Sequence, residues 1–293
     1  MARSTDVFLT ALAPAIWGST YIVTTEFLPD GYPVTVAMLR ALPAGLLLLL
    51  IVRQLPRREW WGRVFLLGAL NFSIFWALLF VAAYRLPGGV AATVGAVQPL
   101  IVVFLAYAML GTPVLALSVL AAVVGMGGVA LMVLTPAAAL DPIGVAAGLG
   151  GALSMAAGTV LSRKWRPPVS LLTFTAWQLT AGGLLLLPFA LLVEPPLPPL
   201  PALTSENVLG LTYLGLIGAA FTYILWFRGI GRLEPSAVSA LGFLSPATAV
   251  VLGWSLLDQQ LNALQIVGFV AVLAGVWLGQ VATRRPRPAT AVT

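Results

Sequence analysis

"GAVQPLIVV", Gly95–Val103, sets a glutamine and a proline inside a long apolar run, and "GFLSPATAV", Gly242–Val250, repeats the pattern. The offset is 242 − 95 = 147 residues for the glycines and 246 − 99 = 147 for Pro99 and Pro246. Proline removes a backbone donor and frees the carbonyl four residues earlier, so Pro99 releases Gly95 and Pro246 releases Gly242. A carbonyl left open to lipid is costly, so non-helical backbone at membrane depth is expected to face protein or a wet cavity. Kinking for packing is the plain reading of either proline. Their recurrence at one offset favours a shared role, as paired helix breaks and gates.

The same offset holds without a gap from Gly68/Gly215 to Gly128/Gly275 and pairs Arg85-Leu86 with Arg232-Leu233. A shorter offset of 138 aligns "RALPAGLLLL" (Arg40–Leu49) with "QLTAGGLLLL" (Gln178–Leu187). Ten apolar stretches can each cross a membrane: 7–25, 35–53, 63–83, 89–109, 114–134, 143–161, 170–192, 208–228, 236–256 and 263–281. Five spans per half is an odd number, so the halves enter from opposite sides. The expected fold is an all-α membrane protein, ten transmembrane helices in two inverted five-helix repeats, N-in and C-in. The repeats cover 1–137 and 138–285, with a cytoplasmic tail at 286–293. The first span reads as a retained helix rather than a cleaved signal, because its apolar run continues to Val23.

Composition agrees. The 293 residues are 60% hydrophobic and 8% charged, whereas about a quarter of a soluble domain is charged. The net charge of +6 lies in the loops, so topology explains it and no nucleic-acid partner is expected. With both ends inside, Arg3, Arg53, Arg57, Arg58, Arg63, Arg163, Lys164, Arg166, Arg228, Arg232, Arg284, Arg285 and Arg287 are cytoplasmic, 13 of the 15 bases. Trp60, Trp61 and Trp165 flank these loops as interfacial anchors, and Trp226 and Trp277 fall near the same span ends. There is no Cys and no His, which excludes disulfides, thiolate chemistry, His-held metals and Ser-His pairs. No metal and no cofactor is expected.

Polar and aromatic groups inside the spans mark a substrate-binding pocket. Trp17 and Tyr21 share a helix face flanked by Thr20. Asn71 and Phe75 share another, and Gln98 precedes Pro99, with Ser245 as its repeat partner. Trp177, Gln178 and Tyr223 complete the set. Each taken alone fits interhelical hydrogen bonding or packing; together they suggest a cavity. Arg40 is the one charge within a span. Two readings stand for it: a structural one, reaching Glu26 or Asp30, and attraction of a substrate carboxylate. Gly275 and Gly279 have GxxxG spacing, for helix packing or a weak homodimer; the expected state is monomer or weak homodimer. No span holds an Asp, Glu or His to carry a proton, which favours facilitated or exchange transport.

"WGS" in the first span, "MLRALPAGLLLL" in the second and "ALLFVAAYRLPGGVAATVGAVQPL" across the third and fourth resemble the EamA type of the drug/metabolite transporter superfamily. The chain looks particularly similar to that group's bacterial aromatic amino-acid exporters. The resemblance covers the whole chain. It implies an inner-membrane exporter working by alternating access. The central cavity would be built by spans 1–4 and 6–9, with Trp17, Asn71, Phe75, Gln98, Trp177, Tyr223 and Ser245 as its candidates. One departure stands out. The family often carries a glutamate just after spans four and nine, where this chain has Thr112 and Gln259. The rival cargoes are other amino acids, nucleobases or drugs. The rival class is an intramembrane enzyme, for which no nucleophile-base pair is present.

Overall fold

The computed structural model describes residues 2–29, 31–86, 88–133, 141–195, 203–257 and 260–283. Among them there are helices and no strands: α1 (Ala2–Gly18), α2 (Thr20–Phe27), α3 (Pro33–Val52), α4 (Trp61–Gly68), α5 (Ile74–Arg85), α6 (Gly88–Gly95), α7 (Gln98–Leu110), α8 (Ala116–Val133), α9 (Pro142–Lys164), α10 (Leu171–Val193), α11 (Ser205–Gly215), α12 (Thr222–Arg232), α13 (Pro235–Leu241), α14 (Leu244–Leu256) and α15 (Ala263–Ala282). Asp258, Gln259 and the tail 286–293 lie outside the described residues, as does the side chain of Tyr21.

Nine segments among the described residues are helical, apolar and long enough to cross a membrane. The expected first span is not one of them. Its helix is divided at Ser19 into pieces of 17 and 8 residues. Ser19 turns its own N–H and its hydroxyl onto the Ile16 carbonyl, which tightens the chain there.

Two other irregularities had no sequence expectation. Ala69–Ser73 and Leu216–Phe221 are π-helical. They start 216 − 69 = 147 residues apart, the offset of the prolines. Each joins two α-helices into one long span, α4 to α5 and α11 to α12. A π turn widens the helix by one residue and redirects the side chains that follow.

The packing crosses between the halves. α3 packs on α10 and α8 on α15; α5 and α7 pack on α9, while α1 packs on α12 and α14. Small residues permit these approaches. A Cβ at Gly275 would lie 2.8 Å from the Gly125 Cα, and one at Gly128 would lie 2.6 Å from the Val272 nitrogen. The Gly275/Gly279 surface is therefore used within the chain: Gly275 meets α8, and Gly279 meets Ala240 of α13.

Polar clamps close both ends. At the basic end, Asp6 of α1 pairs with Arg228 and Arg232 of α12. Arg163 donates to the carbonyls of Ile230 (2.7 Å) and Leu233 (3.0 Å), at the negative end of α12. At the other end, the Glu194 carboxylate accepts from the N–H groups of Val34 (2.6 Å) and Thr35 (2.7 Å), capping α3 from 160 residues away. There too Arg85 pairs with Asp141 at 3.1 Å.

Asp141 is also the N-cap of α9, accepting from the Ile143 N–H. That bond first, and Arg85 second, hold its carboxyl below the usual range. A depressed folded value stabilises above the unfolded pKa, and the contribution is lost as pH falls through the folded value. Fraying of the first turn of α9 should therefore begin only below the normal carboxylate range. Asp141→Asn should remove the pH dependence, as read by amide hydrogen exchange at Ile143–Val145.

Candidate functional site

The two helix breaks meet. Between α6 and α7 the chain turns at Ala96–Val97, and between α13 and α14 at Gly242–Phe243. Gly95 and Pro99 from the first break, and Gly242, Phe243 and Pro246 from the second, border one cavity of about 160 Å³. Phe75, Leu79 and Ala82 of α5 form another wall, and Gly148, Gly151 and Ala152 of α9 a third. The space is of the order of a ~150 Å³ cavity known to hold one benzene ring.

Among the described residues, Gln98 is the only side chain on this wall with a hydrogen-bonding group. Its Nε2 is buried and has no hydrogen-bond partner. An unmet donor in an apolar setting is costly, and it points to an acceptor supplied by a ligand or water. No charged side chain among the described residues lines the cavity.

The expected open carbonyl at Gly242 is corrected. Pro246 does remove the usual donor, but the Ser245 N–H takes over at 3.1 Å, one residue early. The break relaxes into a tighter turn rather than leaving a bare oxygen. Gly95 and Gly242 also differ in space. A Cβ at Gly95 would meet nothing within 4 Å, whereas one at Gly242 would lie 2.9 Å from the Ser239 carbonyl.

The remaining candidates do not line this cavity; most of them fall into two groups. Trp17 donates its indole N–H to Thr222 at 2.9 Å and packs on Tyr223 and Trp226, with ring centroids 5.0 and 5.1 Å away. Tyr223 continues to Phe72 at 4.6 Å, and Phe72 to Trp76. Trp226, which the sequence puts near a span end, is 1% exposed at the heart of this cluster. It is buried because α1 packs along α12.

Asn71 and Gln178 form the second group. The Asn71 amide donates to the Gln178 Oε1 at 2.8 Å and to Ser162 at 3.2 Å, all three fully or nearly buried. Asn71 sits in the first π segment. The equivalent position in the second is Gly218, whose carbonyl accepts from the Arg40 guanidinium at 2.6 Å. Arg40 and Gln178 are the residues that the 138-residue offset aligns. Each half's second span thus ties the other half's π turn. Arg40 also stands over the Trp76 ring at 5.3 Å; Asp30, one of its two expected partners, lies outside the described residues.

Trp177 and Ser245 lie apart from both groups. Trp177 sits near the basic end and donates to the Gln54 carbonyl at 2.6 Å, so it is shallower than the sequence suggested. Ser245 lies where α14 crosses Gly18 of α1: a Cβ at Gly18 would lie 2.5 Å from the Ser245 carbonyl. Thr20, half-buried, opens α2 just past that crossing.

Sequence reading missed Phe243 and the small face of α9. Phe243 follows Gly242 in the quoted stretch and packs against Gly125 of α8. The signal for α9 was the run "GLGGALSMAAG", Gly148–Gly158, which needs a neighbour to fill the room it leaves.

A bundle of membrane-length helices with two breaks meeting at one cavity is the arrangement of a membrane transport protein. The EamA-like transporter family model matches residues 5–134 and again 142–279, and the chain belongs to that family. It is 47% identical over 270 residues to protein PecM of Dickeya dadantii (strain 3937), covering 92% of this chain and 90% of that one. It is 28% identical over 268 residues to the uncharacterized inner membrane transporter YedA of Escherichia coli (strain K12), covering 88% and 86%. A solved protein structure superposes with a TM-score of 0.80 at 18% identity, over 96% of this chain and 99% of that one, which shows a shared fold. The protein is a multi-pass inner-membrane protein.

Proposed function

We propose that this chain exports small neutral or zwitterionic metabolites, aromatic amino acids foremost, by alternating access around the cavity at the helix breaks. The observation that carries this reading is the meeting of both breaks on one cavity whose single polar side chain, Gln98, holds an unmet donor. Phe75 and Phe243 give the ring apolar walls, and Gln98 meets a carboxylate or carbonyl oxygen. Gly95, Pro99, Gly242 and Pro246 act as the flexible breaks. Trp17, Thr20, Tyr21, Asn71, Trp177, Gln178, Tyr223 and Ser245 frame the path.

The reading includes ten spans, with α1 and α2 as a broken first span, in two inverted halves, 1–137 and 138–285, both ends cytoplasmic. Its support is the double family match and the recurrence of breaks, π turns and their ties at fixed offsets. The charge-free cavity supports facilitated or exchange transport rather than proton coupling or catalysis.

The test is counterflow in liposomes with a panel of amino acids, nucleobases and organic cations. Labelled phenylalanine, tyrosine or tryptophan should accumulate against an unlabelled pool without a pH gradient. Gln98→Leu, which keeps bulk and removes the donor, should weaken apparent affinity by about 3- to 10-fold, the worth of one hydrogen bond. Flux confined to cations, or none without a pH gradient, refutes the reading.

A further inference from the structure

A second cavity, of about 790 Å³, exceeds the one at the helix breaks and lies toward the basic end. It opens where the Thr112–Pro113 turn and the start of α8 meet the start of α13 and the end of α15. Its volume falls within the ~300–1,000 Å³ of small-molecule sites. Val103, Leu115 and Leu117 supply apolar wall, and Ser118 adds a hydroxyl. Glu234 is the only charged side chain on it among the described residues.

The Glu234 carbonyl accepts from the Ala237 and Val238 N–H groups, but its side chain is not engaged. It is half-buried, and its carboxylate makes no hydrogen bond or ion pair among the described residues. It stands at the N-cap of α13 and makes no capping bond. Among the described residues the nearby cations are committed elsewhere: Arg3 to the Thr283 carbonyl and hydroxyl, Arg232 to Asp6, and Arg163 to the Ile230 and Leu233 carbonyls. A half-buried carboxylate without a partner has lost part of its hydration and gained no hydrogen bond in return. Among the described residues no base answers this acid, which leaves it open to an added cation.

We propose that this cavity is a binding site for an amphipathic primary amine. The ammonium pairs with Glu234, the Ser118 hydroxyl accepts a second hydrogen bond, and the apolar body lies along Val103, Leu115 and Leu117. Two sources share that chemistry: an aminophospholipid of the adjacent leaflet and a soluble alkylamine. The site is separate from the helix-break cavity, so its test is independent of cargo.

The full chain would be purified and examined by native mass spectrometry with equal amounts of phosphatidylethanolamine and phosphatidylcholine, then titrated with dodecylamine and with its trimethylammonium analogue. The primary amine should be retained over its methylated counterpart by roughly fivefold, as for one charge-assisted bond. Glu234→Gln should abolish that preference, and Ala116→Trp, which fills the cavity wall, should exclude both ligands. Retention of phosphatidylethanolamine identifies the lipid source; retention of dodecylamine alone identifies the soluble one; either supports the site. Absence of any primary-amine preference, or its survival in folded Glu234→Gln, overturns the proposal.

Discussion

Gly95→Trp should stop transport while leaving the protein folded. A side chain at 95 enters open space at its Cβ, and Gly95 borders the cavity between the breaks. The volume there, about 160 Å³, holds one ring, and an indole anchored on the wall occupies it. Flux in the counterflow assay should fall by more than tenfold, with thermal stability in detergent unchanged. Gly95→Ala should be mild, since a methyl leaves most of the space. The repeat partner behaves differently. Gly242→Ala places its methyl 2.9 Å from the Ser239 carbonyl and should lower stability instead. Full flux in a folded Gly95→Trp protein would remove the cavity from the path.

The second large effect is on stability. Gly275→Val should separate α8 from α15. The new Cβ would sit 2.8 Å from the Gly125 Cα and 2.9 Å from the Ala121 carbonyl, backbone atoms with no freedom to swing aside. In lipid, helix association rests on close packing rather than on a hydrophobic drive, so lost contact is not recovered. Overpacking of this kind costs about 1–3 kcal/mol, and the apparent melting temperature should drop by roughly 5–10 °C. Gly127→Ala on α8 is the control, because its Cβ would meet nothing within 4 Å. Equal melting of the two variants would mean that α8 and α15 are not held by this contact.

Much of the architecture was legible because lipid restricts what a chain can do. Apolar runs of the right length become helices, and a proline at one offset in two such runs marks two equivalent breaks. Their convergence on one cavity was expected from Gly95, Pro99, Gly242 and Pro246. The π turns were not legible. "ALNFS" and "LIGAAF" carry no breaker; the register slip goes with ties made elsewhere in the chain, through Gln178 and Arg40. The alignment of Arg40 with Gln178 was visible, but not that both reach the opposite half. The burial of Trp226 was not legible, because position along a span says nothing about which neighbour covers it. The cavity wall on α9 was missed because glycine and alanine contribute by what they leave empty. Glu234 had no sequence signal, since only the fold shows that no described residue answers it.

The packing of α1 on α12 sets a schedule for biosynthesis. The protein's first helix leaves the ribosome long before Arg232, which clamps it, has been made. At ~5–20 residues per second, the intervening stretch of 232 − 18 = 214 residues takes roughly 10–40 s. During that interval Trp17 and Asp6 wait in or beside the bilayer without Thr222 and Arg228. The nascent amino-terminal half is therefore a natural client for insertion chaperones and for quality-control proteases.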